Sequence, residues 1–240
     1  MGFDFQSKRN EVDYSDQPTE QFRWRAEVNH AALLPHTDDG LIRAICKDIQ
    51  AVLASGQTLK RCRARWVSLI DSADGPMVIK MYVERSPWHV LKRTVQQSRA
   101  LKHVKIANQL SSEGIATPSP VAIFEERRGP FGGNSCLMYP FVRGSTLCTR
   151  ADDFDRSISL KQTNSIRNVV QSHLPKLGES LVRTGLVHTD VTPENFVKDM
   201  SDQLHLIDLD SVRRTRSIFE KRRCLQQFRT LAEEIVEGKK

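Results

Sequence analysis

The stretch Leu186–Val212, LVHTDVTPENFVKDMSDQLHLIDLDSV, constrains the chain more than any other. Two apolar residues lead into His188-Thr189-Asp190, and Asn195 follows Asp190 at D-x-x-x-x-N spacing. A short apolar run (Phe196, Val197), a polar turn (Lys198–Gln203) and a second apolar run (Leu204, Leu206, Ile207) then end in Asp208-Leu209-Asp210. The order reads as loop, strand, turn, strand and acidic loop. A hairpin with a capping aspartate accounts for part of this pattern. It does not account for a histidine two residues before Asp190 combined with an aspartate delivered by the return strand.

Phosphoryl transfer asks a protein for positioning, for a carboxylate beside the attacking hydroxyl, and for oxygen ligands to Mg²⁺. Asp190 suits the carboxylate that orients the hydroxyl and accepts its proton. Asn195 offers a carbonyl oxygen, and Asp208 a carboxylate, to a metal that prefers hard oxygen ligands and keeps several waters. Asp210 reads as a turn residue ahead of a second metal ligand. His188-Thr189-Asp190-Val191-Thr192-Pro193-Glu194-Asn195 resembles the catalytic loop H-R-D-L-x-x-x-N of the protein-kinase-like superfamily. Asp208 stands where that superfamily has the aspartate of D-F-G. The resemblance implies ATP and Mg²⁺ as cofactors and a structural role for His188 beneath the loop.

With 240 residues, 39% hydrophobic and 27% charged, the chain is long enough for one two-lobed domain with a sizeable core. The formal net charge is +7, which favours anionic partners. No apolar run reaches the length of a transmembrane helix, and MGFDFQSKRN has no apolar core of a secretory signal. Five scattered cysteines with no C-x-x-C pair point to neither zinc nor a disulfide framework, and a reducing cytoplasm is the simplest compartment.

Upstream, residues 1–38 are polar with few periodic signals and read as an extension, though Trp24 is a candidate for packing. Leu41, Ile42, Ile45, Cys46, Ile49, Val52 and Leu53 fall on one face of a helix over 39–54, stopped by Gly56. Thr58–Ile70 alternates as a half-buried strand, Asp71–Gly75 is a turn, and Met77-Val78-Ile79 returns to Lys80. M-V-I-K resembles the strand V-A-I-K whose lysine holds the α- and β-phosphates, and the resemblance makes Lys80 the expected nucleotide lysine, a plain strand-end lysine being the alternative. No G-x-G-x-x-G precedes it. Lys60 or Arg61 could contact phosphate instead, or both could lie on a solvated basic edge strand, and the two readings stand level. No G-x-x-x-x-G-K-[ST] exists, which excludes a P-loop enzyme.

Ser86-Pro87 opens a helix that Gly114 closes. Its middle, VQQSRALKHVK, carries no acid to pair with Lys80, a departure from the protein-kinase pattern. Ile115–Pro120 is an extended linker into a strand at Val121–Glu125; Arg127–Asn134 reads as a Gly-rich turn and Cys136–Phe141 as the hinge strand, with Tyr139 and Phe141 placed to meet adenine. Gly144 and Leu147 fit the F-x-x-G-x-x-L that follows the hinge in small-molecule kinases. Residues 151–184 are helical, as one helix or as two broken at Pro175. The last 30 residues offer one amphipathic helix and no room for a peptide-substrate platform.

The expected fold class is therefore α+β: a protein-kinase-like two-lobed fold, with a small antiparallel sheet in an N-lobe (39–142) and a reduced, mainly helical C-lobe (143–240). Over roughly residues 58–235 the chain is similar to the lipopolysaccharide core kinases. The shared features are V-I-K-M-Y, S-R-A-L-K, G-I-A-T-P-S-P-V-A, the hinge strand and H-T-D…N…I-D-L-D. That resemblance implies a heptose or Kdo hydroxyl on an anionic glycolipid as acceptor, and a peripheral position on the anionic cytoplasmic face of the inner membrane. No motif specifies nucleic acid. Aminoglycoside- or choline-type kinases, small atypical protein kinases and a kinase-like binding module are the alternatives.

Overall fold

The computed structural model describes residues 23–28, 39–84, 97–128, 131–148 and 160–238. The chain folds as two compact units. One takes its described residues from Gly2–Lys105 and Ser119–Phe141, the other from Ile106–Pro118 and Val142–Lys240. Residues 106–118 thus group with the later part of the chain, although they precede the boundary expected at 142.

The first unit is built on a six-stranded antiparallel sheet: β1 (Arg23–Val28), β2 (Gln57–Cys62), β3 (Arg65–Ser72), β4 (Gly75–Tyr82), β5 (Ala122–Arg128) and β6 (Phe131–Pro140), in the order β1-β5-β6-β4-β3-β2. Strand β4 sits inside the sheet, and its alternation sorts two cores. Met77, Ile79 and Met81 join Trp66, Ile70, Phe124, Cys136 and Met138 against helix α1 (Asp39–Ser55), which supplies Ile42, Ile45, Ile49, Val52 and Leu53. Val78 and Tyr82 face the opposite way, with Leu137, Ile123, Tyr139 and the helical residues Ala100 and Val104. Helix α1 is interrupted at Asp48, whose backbone is non-helical (φ −153°, ψ 88°). The Asp48 carboxylate accepts from the amides of Gln50 and Ala51, both at 3.0 Å, and so caps the second segment.

Three expectations change here. The single strand over Thr58–Ile70 is a hairpin, turning at Arg63-Ala64 between β2 and β3. The Gly-rich turn over Arg127–Asn134 gives way to the long strands β5 and β6, with register Arg128↔Phe131. The 1–38 extension contributes β1, paired antiparallel to β5, and Trp24 packs against the α1 core. The helix start at Ser86-Pro87 lies outside the described residues. Helix α2 is described as Arg99–Ser112, capped by Ser98, whose hydroxyl accepts from Leu101 N at 3.1 Å.

The second unit is mainly helical. Helix α3 (Leu160–Arg183) runs through Pro175 as one element, and α4 (Ile218–Val236) lies against it. The 151–159 part of the expected helical segment is outside the described residues. Two small sheets complete the unit: β7 (Gly144–Thr146), β9 (Phe196–Asp199) and β10 (Leu204–Leu206), and separately β8 (Leu186–His188) with β11 (Val212–Arg214). A common core joins them through Ile106, Leu110, Leu147, Val170, Leu174, Leu181, Leu186, Phe196, Leu206, Val212, Phe228 and Ile235. Gly144 belongs where it is because β7 crosses β9 closely: a Cβ there would lie 2.1 Å from the Lys198 carbonyl oxygen. Gly144→Ala is expected to destabilise this unit by about 1–3 kcal/mol, measured by denaturant unfolding, since the obstacle is backbone that cannot rotate away.

The element order is that of the expected α+β fold: a sheet with Lys80 on an internal strand, a helix, a strand leading out of the sheet, then helices around the short β9–β10 hairpin.

Candidate active site

In the helical unit the loop is fixed from beneath by His188. Strand β8 is fully buried, and register with β11 sets His188 opposite Val212. The His188 ring bridges two parts of the stretch. Its Nδ1 accepts from the Asp190 backbone N–H at 3.2 Å, and its Nε2 lies 3.0 Å from the Asp208 carbonyl oxygen. A ring whose Nδ1 accepts must carry its proton on Nε2, so the neutral Nε2–H tautomer donates to Asp208. Burial, first of all, pushes the His188 pKa down; the Asp208 carbonyl and the charges of Asp208 and Asp190 act against it. A neutral ring therefore spans the catalytic loop and the acidic loop. The structural role expected of His188 fits this position, and its two hydrogen bonds, one to each loop, are visible only in the fold.

Asn195 ends a 3-10 turn, Pro193–Asn195, opened by a proline at its first position. Its side-chain amide donates to the Asp190 carbonyl oxygen at 2.7 Å, which orients its Oδ1 as the remaining oxygen. Strands β9 and β10 then form a hairpin with Leu206 opposite Phe196, and Ile207 N donates to the Asn195 carbonyl at 2.9 Å. The hairpin so sets Asn195 across from Ile207, with Asp208 the next residue. Its turn is organised by Asp199, whose Oδ1 accepts from the Ser201 and Gln203 amides at 2.8 and 2.9 Å. Asp208 in turn accepts from the Asp210 amide at 3.2 Å, which gives Asp210 the turn position expected of it. The structure thus brings Asp190, Asn195 and Asp208 into one hydrogen-bonded unit. A carbonyl oxygen and a carboxylate are the hard donors Mg²⁺ takes, with water filling its other positions. Among the described residues no group of three or more His, Cys, Asp or Glu is placed to hold a metal.

In the sheet unit Lys80 is buried, only 4% exposed, two residues before the end of β4. It shares its face with Val78 and Tyr82, and its ammonium lies 5.5 Å from the Tyr82 ring centroid. The Tyr82 hydroxyl is 3.4 Å from Nδ1 of His103, a buried residue of α2 stacked on Tyr139 at 6.2 Å. His103 does not stand out in the sequence. Tyr82 does so as the last residue of V-I-K-M-Y and through the period of two from Val78 through Lys80.

Cross-strand register separates the two basic candidates. Lys60 pairs with Val67, and Val67 with Lys80, so these three lie in one row on one face. Arg61 pairs with Trp66, and Trp66 with Met81, on the opposite face, and the Arg61 guanidinium lies 4.0 Å over the Trp66 ring. Arg61 therefore faces away from Lys80, whereas Lys60 shares its face. Both stand on the exposed edge strand β2.

Tyr139 and Phe141, the expected adenine contacts, lie at the end of β6 and just beyond it. Phe141 N donates to Pro76 O at 3.0 Å. Alternation of the antiparallel ladder then makes Val78 and Tyr139 a hydrogen-bonded pair as well. The Tyr139 side chain is buried in the α2 core. The sheet takes up the Phe141 N–H, whereas Pro76 has no N–H to offer the Phe141 carbonyl in return, and the Phe141 ring is exposed.

At the β2–β3 turn, the Ala64 amide foremost, then Arg65, hold the exposed Cys62 thiol below its ordinary pKa against a small opposing effect of burial. Burial pushes Cys46 up to about 11 and raises buried Cys136 as well. Alkylation followed by peptide mass mapping should therefore label Cys62 before Cys46, and Cys136 only on unfolding. Labelling of Cys46 first would contradict this turn geometry.

No family model matches the chain, and no curated protein matches its sequence. Among solved structures it is similar to WaaP in complex with acyl carrier protein, at 15% identity and TM-score 0.46 over 81% of this chain and 78% of that one. It is also similar to vaccinia related kinase 3, at 18% identity and TM-score 0.45 over 76% of this chain and 64% of that one, so it spans less than two thirds of that kinase's length.

Proposed function

We propose that this chain is a kinase that transfers the γ-phosphoryl group of ATP, with Mg²⁺, to a hydroxyl group. The acceptor in this reading is a heptose or Kdo sugar of a lipopolysaccharide core, presented at the cytoplasmic face of the inner membrane. The observation that carries the phosphotransfer reading is the bridge of neutral His188 between the Asp190 amide and the Asp208 carbonyl, with Asn195 bonded to Asp190. In this reading it ties the proton acceptor and the two metal-binding side chains together.

Each residue then has a task. The Asp190 carboxylate orients the acceptor hydroxyl and takes its proton. Asn195 Oδ1 and the Asp208 carboxylate are the metal-binding atoms, and Mg²⁺ held there supplies neutralisation of the phosphate charge. Lys80, and beside it Lys60, are the cations for the nucleotide phosphates. The acceptor class is supported by the motifs shared with lipopolysaccharide core kinases and by the net charge of +7, which suits an anionic glycolipid better than a cationic aminoglycoside.

An acceptor panel tests this reading. ADP release is measured with ATP and Mg²⁺ on core-containing lipopolysaccharide, an aminoglycoside, choline and a mobile peptide. Turnover of the glycolipid above the others is the expected result. Turnover of the peptide or aminoglycoside but not of the glycolipid would sink the acceptor assignment.

A further inference from the structure

Large apolar side chains exposed to solvent are scattered singly over the described surface at Leu59, Phe141 and Met200, with one exception. Ile218 and Phe219 are neighbours in the first turn of α4, 66% and 84% exposed. They are not on a loose end. Ser217 caps the helix by accepting from Glu220 N, and the other face of α4 is anchored by Cys224, Phe228, Leu231, Ala232 and Ile235. The fold holds two apolar side chains out into water.

Their surroundings are cationic. Between Ser211 and Arg223 the sequence carries Arg213, Arg214, Arg216, Lys221, Arg222 and Arg223 against a single acid, Glu220. That is a local net charge of +5 within a chain of +7. Glu220 is itself engaged, by Arg213 at 2.7 Å and by the Thr215 hydroxyl. The Arg213 bond sets β11 beside the first turn of α4, and Arg214 is held to Gln109 Oε1 at 2.7 Å. Arg222 and Arg223 follow Ile218 and Phe219 at helical spacing and are exposed with them.

We infer that β11 and the first turns of α4 form a docking surface for an anionic lipid bilayer, with Ile218 and Phe219 entering the interface and the surrounding arginines meeting the headgroups. Apolar side chains ringed by basic ones are the pattern of interfacial membrane binding. Each cation near an anionic surface strengthens binding by about fivefold. An acidic protein would satisfy the arginines, but a pair of protruding apolar side chains among them suits the headgroup boundary better. The surface is coupled to the candidate active site through backbone. Val212 pairs with His188, Thr189 N donates to Ser211 O, and Thr215 N donates to Gly185 O, each of these two bonds at 3.0 Å. Docking would fix the catalytic loop relative to the membrane plane. This gives the proposed kinase its surface partner and rests on that reading only for its purpose.

The test is sedimentation of the full chain with vesicles of phosphatidylcholine alone and of phosphatidylcholine with phosphatidylglycerol. Binding to the anionic vesicles, weakening with salt, is expected. Phe219→Ser should lower it about tenfold, and Arg222→Glu with Arg223→Glu by about fivefold or more per residue. Both variants should keep the wild-type melting temperature and the wild-type rate on a water-soluble, deacylated acceptor. Binding to neither vesicle, or equal binding by the variants, overturns the inference. Capture by purified acyl carrier protein with no vesicle binding also overturns it, in favour of an acidic protein partner. Vesicle binding by a chain that turns over no acceptor would retain the docking surface and remove the kinase reading instead.

Discussion

Asp190→Ala should lower kcat for phosphoryl transfer by about 10²–10⁴-fold, the range typical of a positioned general base, without lowering the melting temperature. The separation is possible because the bonds that shape the loop use the Asp190 backbone. Its N–H goes to His188 and its carbonyl receives Asn195, while the side chain itself is exposed. Truncation at Cβ removes the carboxylate and leaves those bonds in place. Nucleotide affinity, assigned to Lys80 and the metal-binding pair, should be unchanged. Steady-state ADP release and thermal unfolding of the same preparation check this. A variant that loses activity and stability together would mean that the Asp190 side chain is structural, and a variant with wild-type kcat would remove it from the chemistry.

The second large effect lies away from the loop. Phe228→Ala should destabilise the helical unit by about 3–5 kcal/mol, through lost burial and the cavity left behind. Phe228 is fully buried on α4 and meets Phe196 edge-on, with ring centroids 5.7 Å apart at 70°. Phe196 is the residue after Asn195, and its ring also lies 6.4 Å from that of His188. The cavity would therefore open directly behind Asn195, the proposed metal ligand. Chemical denaturation measures the loss. Activity at temperatures where the variant is still folded should fall as well, because Asn195 would lose the packing that holds its strand. Phe228→Leu, which fills most of the volume, should recover most of both.

What the sequence reveals and what it conceals have physical reasons. The D-x-x-x-x-N loop and its downstream aspartate are legible because their partners are close in sequence and separated by one hairpin. Helix α1 and strand β4 are legible because each buries a periodic face. The β2–β3 hairpin is hidden because its turn is Arg63-Ala64, with none of the Gly, Asn or Asp that mark tight turns. Strand β6 is obscured for the opposite reason. Gly132, Gly133 and Asn134 look like a turn, yet Gly133 lies in the strand beside buried Glu126, whose Oε2 would be 2.6 Å from any Cβ there. That same carboxylate accepts from Asn134 N at 2.8 Å, so a close approach, not a turn, requires the small residue. Strand β1 is invisible because its partner β5 lies far along the chain. Choosing between Lys60 and Arg61 needs the register of three strands, which alternation alone cannot supply.

Nucleotide-dependent stabilisation tests the central proposal most directly, namely that the chain binds a metal–nucleotide, with Asp208 among the metal-binding atoms, and performs phosphoryl transfer. At saturating ATP with Mg²⁺, roughly a hundredfold over the dissociation constant, binding should stabilise the folded chain by about 2.7 kcal/mol. For a chain of this size that is a rise in melting temperature of roughly 5–10 °C. The rise should shrink without Mg²⁺ and in Asp208→Asn, and should persist in Asp190→Ala, which keeps the binding atoms. No shift at millimolar ATP with Mg²⁺, or a shift indifferent to both the metal and Asp208, would contradict the account.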